Sequence, residues 1–245
     1  MRTARTTTIL LVAAIVLALG GVFAVGFALA NQEPAPPVAA DLPDASASPA
    51  APAAPAAPAA PSRSPSARSS ASSSPKPRSA PTPRVDPNKR ELTESVPTRI
   101  QIPSIKVDAS MVDVGLKGDG EMDTPDADPD QAGWFTGAHT PGSPGTSIVV
   151  GHVTWNREPT VFFKLGELQR GDRITVTRKD GSTATFAVRK RSTFPKDAFP
   201  TKEIFRQAAD PELTLITCGG RYDTSTHSYG SNVIVWTTLV TTHPA

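Results

Sequence analysis

The chain has 245 residues, 25 basic against 23 acidic side chains, 26 prolines and one cysteine. Near-neutral charge, with no Lys/Arg stripe interleaved with aromatics, argues against a nucleic-acid partner, and a lone cysteine excludes an intramolecular disulfide. The hydrophobic fraction of 38% lies below the about 45–50% usual in globular proteins, and the deficit is concentrated in the first hundred residues.

Residues 1–8 carry Arg2 and Arg5 and no acid, and residues 9–30 carry no charge at all. The uncharged run matches the ~20 residues an α-helix needs to cross a bilayer. Arginines before it and Glu33 after it predict a cytoplasmic N-terminus. Ala28-Leu29-Ala30 fits a signal-peptidase site, but the run exceeds the ~7–15 apolar residues of a signal peptide. The sequence therefore predicts an uncleaved, single-pass membrane anchor with the remainder extracytoplasmic.

Residues 31–95 are Ala, Pro and Ser with scattered charges. Such a stretch cannot bury enough apolar surface to offset its ordering entropy, so a disordered linker is expected. At ~3.1 Å per residue a polyproline-like spacer of about sixty residues reaches roughly 200 Å. Residues 96–245 have the composition and size of one domain with one core.

That domain is predicted to be all-β with short helices. Thr98–Ile102 alternates with period two and stops at Pro103, and Lys106–Leu116 alternates more loosely before a turn at 117–120. Ser147–Thr154 reads as a buried strand. Arg173–Arg178 and Ser182–Lys190 flank Lys179-Asp180-Gly181, a hairpin signal, because Asp-Gly accepts positive φ. Glu212–Thr217 and Asn232–Val240 are apolar and β-branched. Helices are expected over Thr160–Leu168 and Thr201–Gln207. About seven strands with few helices point to a barrel or sandwich.

Cys218 ends the run Leu213-Thr214-Leu215-Ile216-Thr217. As a lone thiol it is a small buried hydrophobe, an intermolecular linker or a nucleophile. A nucleophile needs its thiolate form or a nearby base. Of four histidines, His152 is placed for that role, because it follows the apolar run Ile148-Val149-Val150-Gly151. His139 and His243 lie in turn-like contexts without zinc-ligand spacing. Asp119, Glu121, Asp123, Asp126, Asp128 and Asp130 crowd one loop. Their spacing is not that of an EF-hand, so the loop reads as solvated and no metal or cofactor is expected. Trp134, Trp155 and Trp236 read as packing residues, with Trp155 near enough to His152 to line a groove.

Thr214-Leu215-Ile216-Thr217-Cys218 resembles the TLxTC signature of sortases. Further blocks agree: Thr98 through Ile105, Ala132-Gly133-Trp134-Phe135, Pro141-Gly142, Gly151-His152-Val153, Val161 through Leu165, Pro195 through Pro200, and Cys218-Gly219-Gly220. The resemblance spans Pro97 to Val240 and is nearest to class F-like actinobacterial sortases. It implies a closed eight-stranded β-barrel that acts as a cysteine transpeptidase. It also implies that Cys218 attacks the Thr-Gly bond of an LPXTG-like sorting signal while His152 handles the protons. The partners implied are sorting-signal proteins and an amine acceptor on a peptidoglycan precursor or pilin, at the cell-wall side of the membrane.

The resemblance also implies an arginine about twelve residues after the cysteine. Gly230 occupies that position, within His227-Ser228-Tyr229-Gly230-Ser231-Asn232. Arg221 and His227 are the nearest candidates to contact substrate or a developing oxyanion in its stead. A barrel of this kind that binds sorting signals without turning them over is the alternative.

Overall fold

A computed structural model describes residues 34–37, 40–43, 91–118 and 120–245. The expected anchor at 9–30 lies outside the described residues, as does most of the expected linker. Among the described residues, no helix is long and apolar enough to cross a membrane.

The strands are β1 (Pro97–Ile102), β2 (Val107–Val114), β3 (Ala132–Phe135), β4 (Thr146–Val150), β5 (Thr154–Trp155), β6 (Glu158–Pro159), β7 (Arg173–Arg178), β8 (Thr183–Pro195), β9 (Glu212–Asp223) and β10 (Ser228–His243). Eight of them close a barrel in the order β1-β2-β3-β4-β9-β10-β8-β7, and β5 and β6 form a separate small hairpin. The expected eight-stranded closed barrel is therefore present. β2/β3 and β4/β9 are parallel and the other barrel pairs antiparallel.

Local sequence accounts for much of this. Ile100 and Ile102 of β1 are buried, while Arg99 projects outward to Asp108 of β2. Pro103 opens a 3₁₀ turn, Pro103–Ile105, and Lys106 takes a left-handed φ of 59°, which folds β2 back on β1. The β7/β8 turn uses Gly181 at φ 84°, as Asp-Gly predicts.

Two differences stand out. Thr160–Leu168 is a turn followed by a single 3₁₀ turn, Leu165–Glu167, rather than an α-helix. Phe162, Leu165 and Leu168 all sit in the core, which requires a tighter path than one helical face gives. The second expected helix shortens to α1 (Thr201–Ile204).

Alternation along the strands divides the apolar residues into two layers. Val149, Leu213, Leu215, Val233 and Val235 join the main core. Ile148, Val150, Ile216, Ile234 and Trp236 face the other way, where Ile204 of α1 and Phe199 cover them.

Parts of the chain before β1 also lie on the barrel. Leu42 and Arg191 of β8 exchange both backbone hydrogen bonds, at 2.8 and 3.1 Å. The Thr193 N–H donates to the Asp41 carboxylate at 3.0 Å. The buried Arg191 guanidinium donates to the carbonyls of Ala40 and Leu168. On β7, the buried Arg178 donates to the carbonyls of Thr93 and Ser95. Leu92 packs against the main core.

Candidate active site

β4 and β9 lie side by side and parallel, with Val150 opposite Ile216. The alignment continues past the end of β4. The Gly151 N–H donates to the Ile216 carbonyl at 3.2 Å, and the Thr217 hydroxyl donates to the Gly151 carbonyl at 2.8 Å. The next residue on each chain is His152 and Cys218, so their backbones stand abreast, His152 two residues past the end of β4 and Cys218 midway along β9. Alternation places Cys218 on the outer face shared with Ile216 and Ile234.

The chain around His152 is held from both sides. A Cβ on Gly151 would come within 2.6 Å of Phe162 Cδ2 and 2.8 Å of Val161 Cγ1, so only glycine permits this approach. The Phe162 N–H in turn donates to the His152 carbonyl at 3.0 Å. Above the backbone, the Trp155 ring lies 4.9 Å from the imidazole between centroids, tilted by 57°.

His152 Nε2 lies 3.0 Å from Asp126 Oδ1. An ionised carboxylate only accepts, so Nε2 carries the proton in this contact. Burial pushes the Asp126 pKa up. The Thr124 hydroxyl and the His152 ring outweigh that, and the carboxyl is held below its ordinary range. Asp126 came from the acidic run read as a solvated loop, and no local signal separates it from its neighbours. Among the described residues, no group of three or more His, Cys, Asp or Glu is placed to hold a metal ion.

The thiol sits in a contrasting environment. Burial pushes the Cys218 pKa up, Lys196 pulls it down, Glu121 raises it and Lys117 lowers it. The net effect holds it above the usual thiol range. Cys218 is thus a neutral thiol at neutral pH and needs a base before it can attack.

Beyond Cys218 the β9/β10 ladder is broken. Cys218 pairs with Asn232, Gly219 with Ser231 and Tyr222 with Tyr229. Gly220 and Arg221 together therefore oppose Gly230, a bulge that Gly220 accommodates at φ 77°. Gly230 lies on the face of Cys218 and Asn232. A Cβ added there would meet only the Arg221 carbonyl oxygen, at 3.8 Å. The space for a side chain at the position where an arginine was expected is therefore open.

The two substitute candidates differ in placement. Arg221 is exposed, directly across from Gly230. His227 is exposed at φ 51° in the turn beyond the Tyr222–Tyr229 pair. At ~3.3 Å per residue that is about 16 Å along the ladder from the thiol, so the fold does not bring His227 to Cys218. Asn232, opposite the thiol, carried no signal in the sequence that marked it.

Fold and site together define a class: a closed all-β barrel with a cysteine and a histidine at adjacent positions of neighbouring chains. A family model described as Sortase domain matches residues 100–240, and the chain belongs to the sortase family. Solved structures to which the chain is similar include sortase A from Listeria monocytogenes, 18% identical over 62% of this chain and 92% of that chain, TM-score 0.46. The SrtA sortase from Actinomyces oris is 19% identical over 63% of this chain and 86% of that chain, TM-score 0.47. A lid mutant of sortase A from Corynebacterium diphtheriae is 20% identical over 61% and 72%, TM-score 0.47. At such identities the likeness concerns the fold alone. A search of curated proteins finds no match.

Proposed function

We propose that the protein is a membrane-anchored cysteine transpeptidase of the class F-like kind. It cleaves the Thr-Gly bond of an LPXTG-like sorting signal and transfers the new carboxyl end to a cell-wall amine. The observation that carries this reading is the alignment of His152, just past the end of β4, with Cys218 on β9.

The steps follow from the environments of these groups. His152 takes the Sγ proton as sulfur attacks the threonine carbonyl carbon, forming a C–S bond and an oxyanion. The C–N bond then breaks and the imidazolium gives its proton to the departing glycine amine. An incoming amine attacks the thioacyl carbon, His152 removes a proton from it, and the Cys218 sulfur leaves and is reprotonated. Asp126 accepts the hydrogen bond from the Nε2 proton and holds the imidazole in place through both halves. The thioester keeps much of the peptide's activation, so the second step needs no nucleotide, which suits an extracytoplasmic site.

The test is intact-mass detection of a Cys218 thioacyl adduct with an LPXTG-type peptide, followed by its release on adding an amine such as triglycine. Absence of any adduct across pH and nucleophile concentration overturns the reading. Gly230 supports the second reading, a barrel that binds sorting signals without turnover. Peptide binding without an adduct would favour it.

A further inference from the structure

Gly230 leaves the Cys218 face without the cation that an oxyanion there would call on. The neighbouring strand supplies one. Ser231 of β10 pairs with Pro195 of β8, and Asn232 pairs with Phe194. One step further along the two antiparallel chains are Gly230 and Lys196, and β10 contacts the Lys196–Ala198 turn. Phe194 lies on the Cys218 face, against Trp236 at 6.1 Å between ring centroids. Lys196 opens the 3₁₀ turn Lys196–Ala198, and the extended backbone of Pro195 before it (φ −53°, ψ 147°) sets it out toward that face.

Cys218, Asn232 and Phe194 thus form one row across three strands, and Gly230 and Lys196 begin the next. Two strand spacings separate β8 from β9, about 10 Å. A four-carbon stem spans most of that, and a bare glycine stands between. Lys196 is exposed, so its ammonium is free to swing across.

We infer that Lys196 is a catalytic residue: its ammonium crosses Gly230 and donates to the oxyanion formed when Cys218 attacks the carbonyl. The inference rests on the transpeptidase reading and assigns the charge-stabilising role within it. It is consistent with Lys196 being the foremost cation acting on the thiol. Glycine at 230 and lysine at 196 then form one arrangement, in which the small residue makes way for the long one.

The experiment compares wild-type, Lys196→Met, Lys196→Arg and Lys196→Met/Gly230→Arg chains on an LPXTG-type peptide. Lys196→Met is expected to lower kcat by about 10²-fold, the scale of one lost oxyanion donor, with KM little changed. Lys196→Arg and the double variant recover most of the loss, because each returns a cation to the same face. The pH dependence of Cys218 alkylation by iodoacetamide is read in parallel, without turnover. Lys196→Met moves it to higher pH. The inference is overturned if Lys196→Met turns over at wild-type rate, or if its loss falls on KM alone. A wild-type chain that forms no adduct overturns the transpeptidase reading and this role with it. A wild-type chain that turns over while Lys196→Met does so equally well overturns Lys196 alone.

Discussion

The Asp126 carboxylate meets the His152 imidazole at 3.0 Å, on the nitrogen Nε2. This fixes the ring's tautomer and leaves the other nitrogen as the one that accepts a proton. Asparagine at 126 keeps the shape and loses the charge. Asp126→Asn is expected to lower kcat by about tenfold, a modest effect because the carboxylate is half exposed. The carboxyl titrates below its ordinary range. The contact is therefore present above the unfolded carboxylate pKa and is lost as pH falls through the lower folded value. The acid limb of the kcat profile checks this, since Asp126→Asn removes any component from that titration.

The Cys218 thiol is raised by burial. Alkylation by iodoacetamide, which consumes thiolate, should therefore rise at higher pH in the folded chain than in urea. Glu121→Gln removes a charge that raises the thiol and should shift the folded curve to lower pH. Superposed folded and unfolded curves would contradict the burial of the thiol.

Gly151 is the packing constraint under the histidine. Alanine there puts a carbon within 2.6 Å of a Phe162 ring that is fully buried. Gly151→Ala should destabilise the fold by about 1–3 kcal/mol, the cost of overpacking. It should also lower activity beyond what the lost stability explains, because the strain falls one residue from His152. Chemical denaturation together with activity at a temperature where both chains are folded separates the two effects.

Gly230 tests the opposite case. Nothing but the Arg221 carbonyl oxygen stands near its missing side chain, at 3.8 Å. Its φ is not in the left-handed region, where glycine would be required. Gly230→Arg should leave stability within about 0.5 kcal/mol of wild type and keep turnover of an LPXTG-type peptide near the wild-type rate, because the arginine takes over the place that Lys196 crosses. Thermal unfolding and peptide kinetics measure the two halves.

How far the sequence reached can be followed residue by residue. The β7/β8 hairpin was legible because Asp180-Gly181 is a local turn signal, and β9 and β10 because they are long apolar runs. β3 was not, since four residues, Ala132 to Phe135, carry no period and draw their order from β2 and β4. Cys218 and His152 were each visible as candidates. Their juxtaposition was not visible from spacing, because it arises from a parallel crossover that aligns β4 with β9. Asp126 and Lys196 were hidden for the same reason. An aspartate among aspartates and a lysine in a proline-flanked turn acquire meaning only from what the barrel sets opposite them.

Two buried arginines bear on the chain before the barrel. Arg191 secures Ala40 and Leu42, and Arg178 secures Thr93 and Ser95. Residues 40–43 and 91–95 are therefore both held on the barrel, the first at β8 and the second at β7. The described chain thus meets the barrel first at β10, where the Tyr229 hydroxyl donates to the Pro34 carbonyl at 3.2 Å, then at β8, and only later at β7.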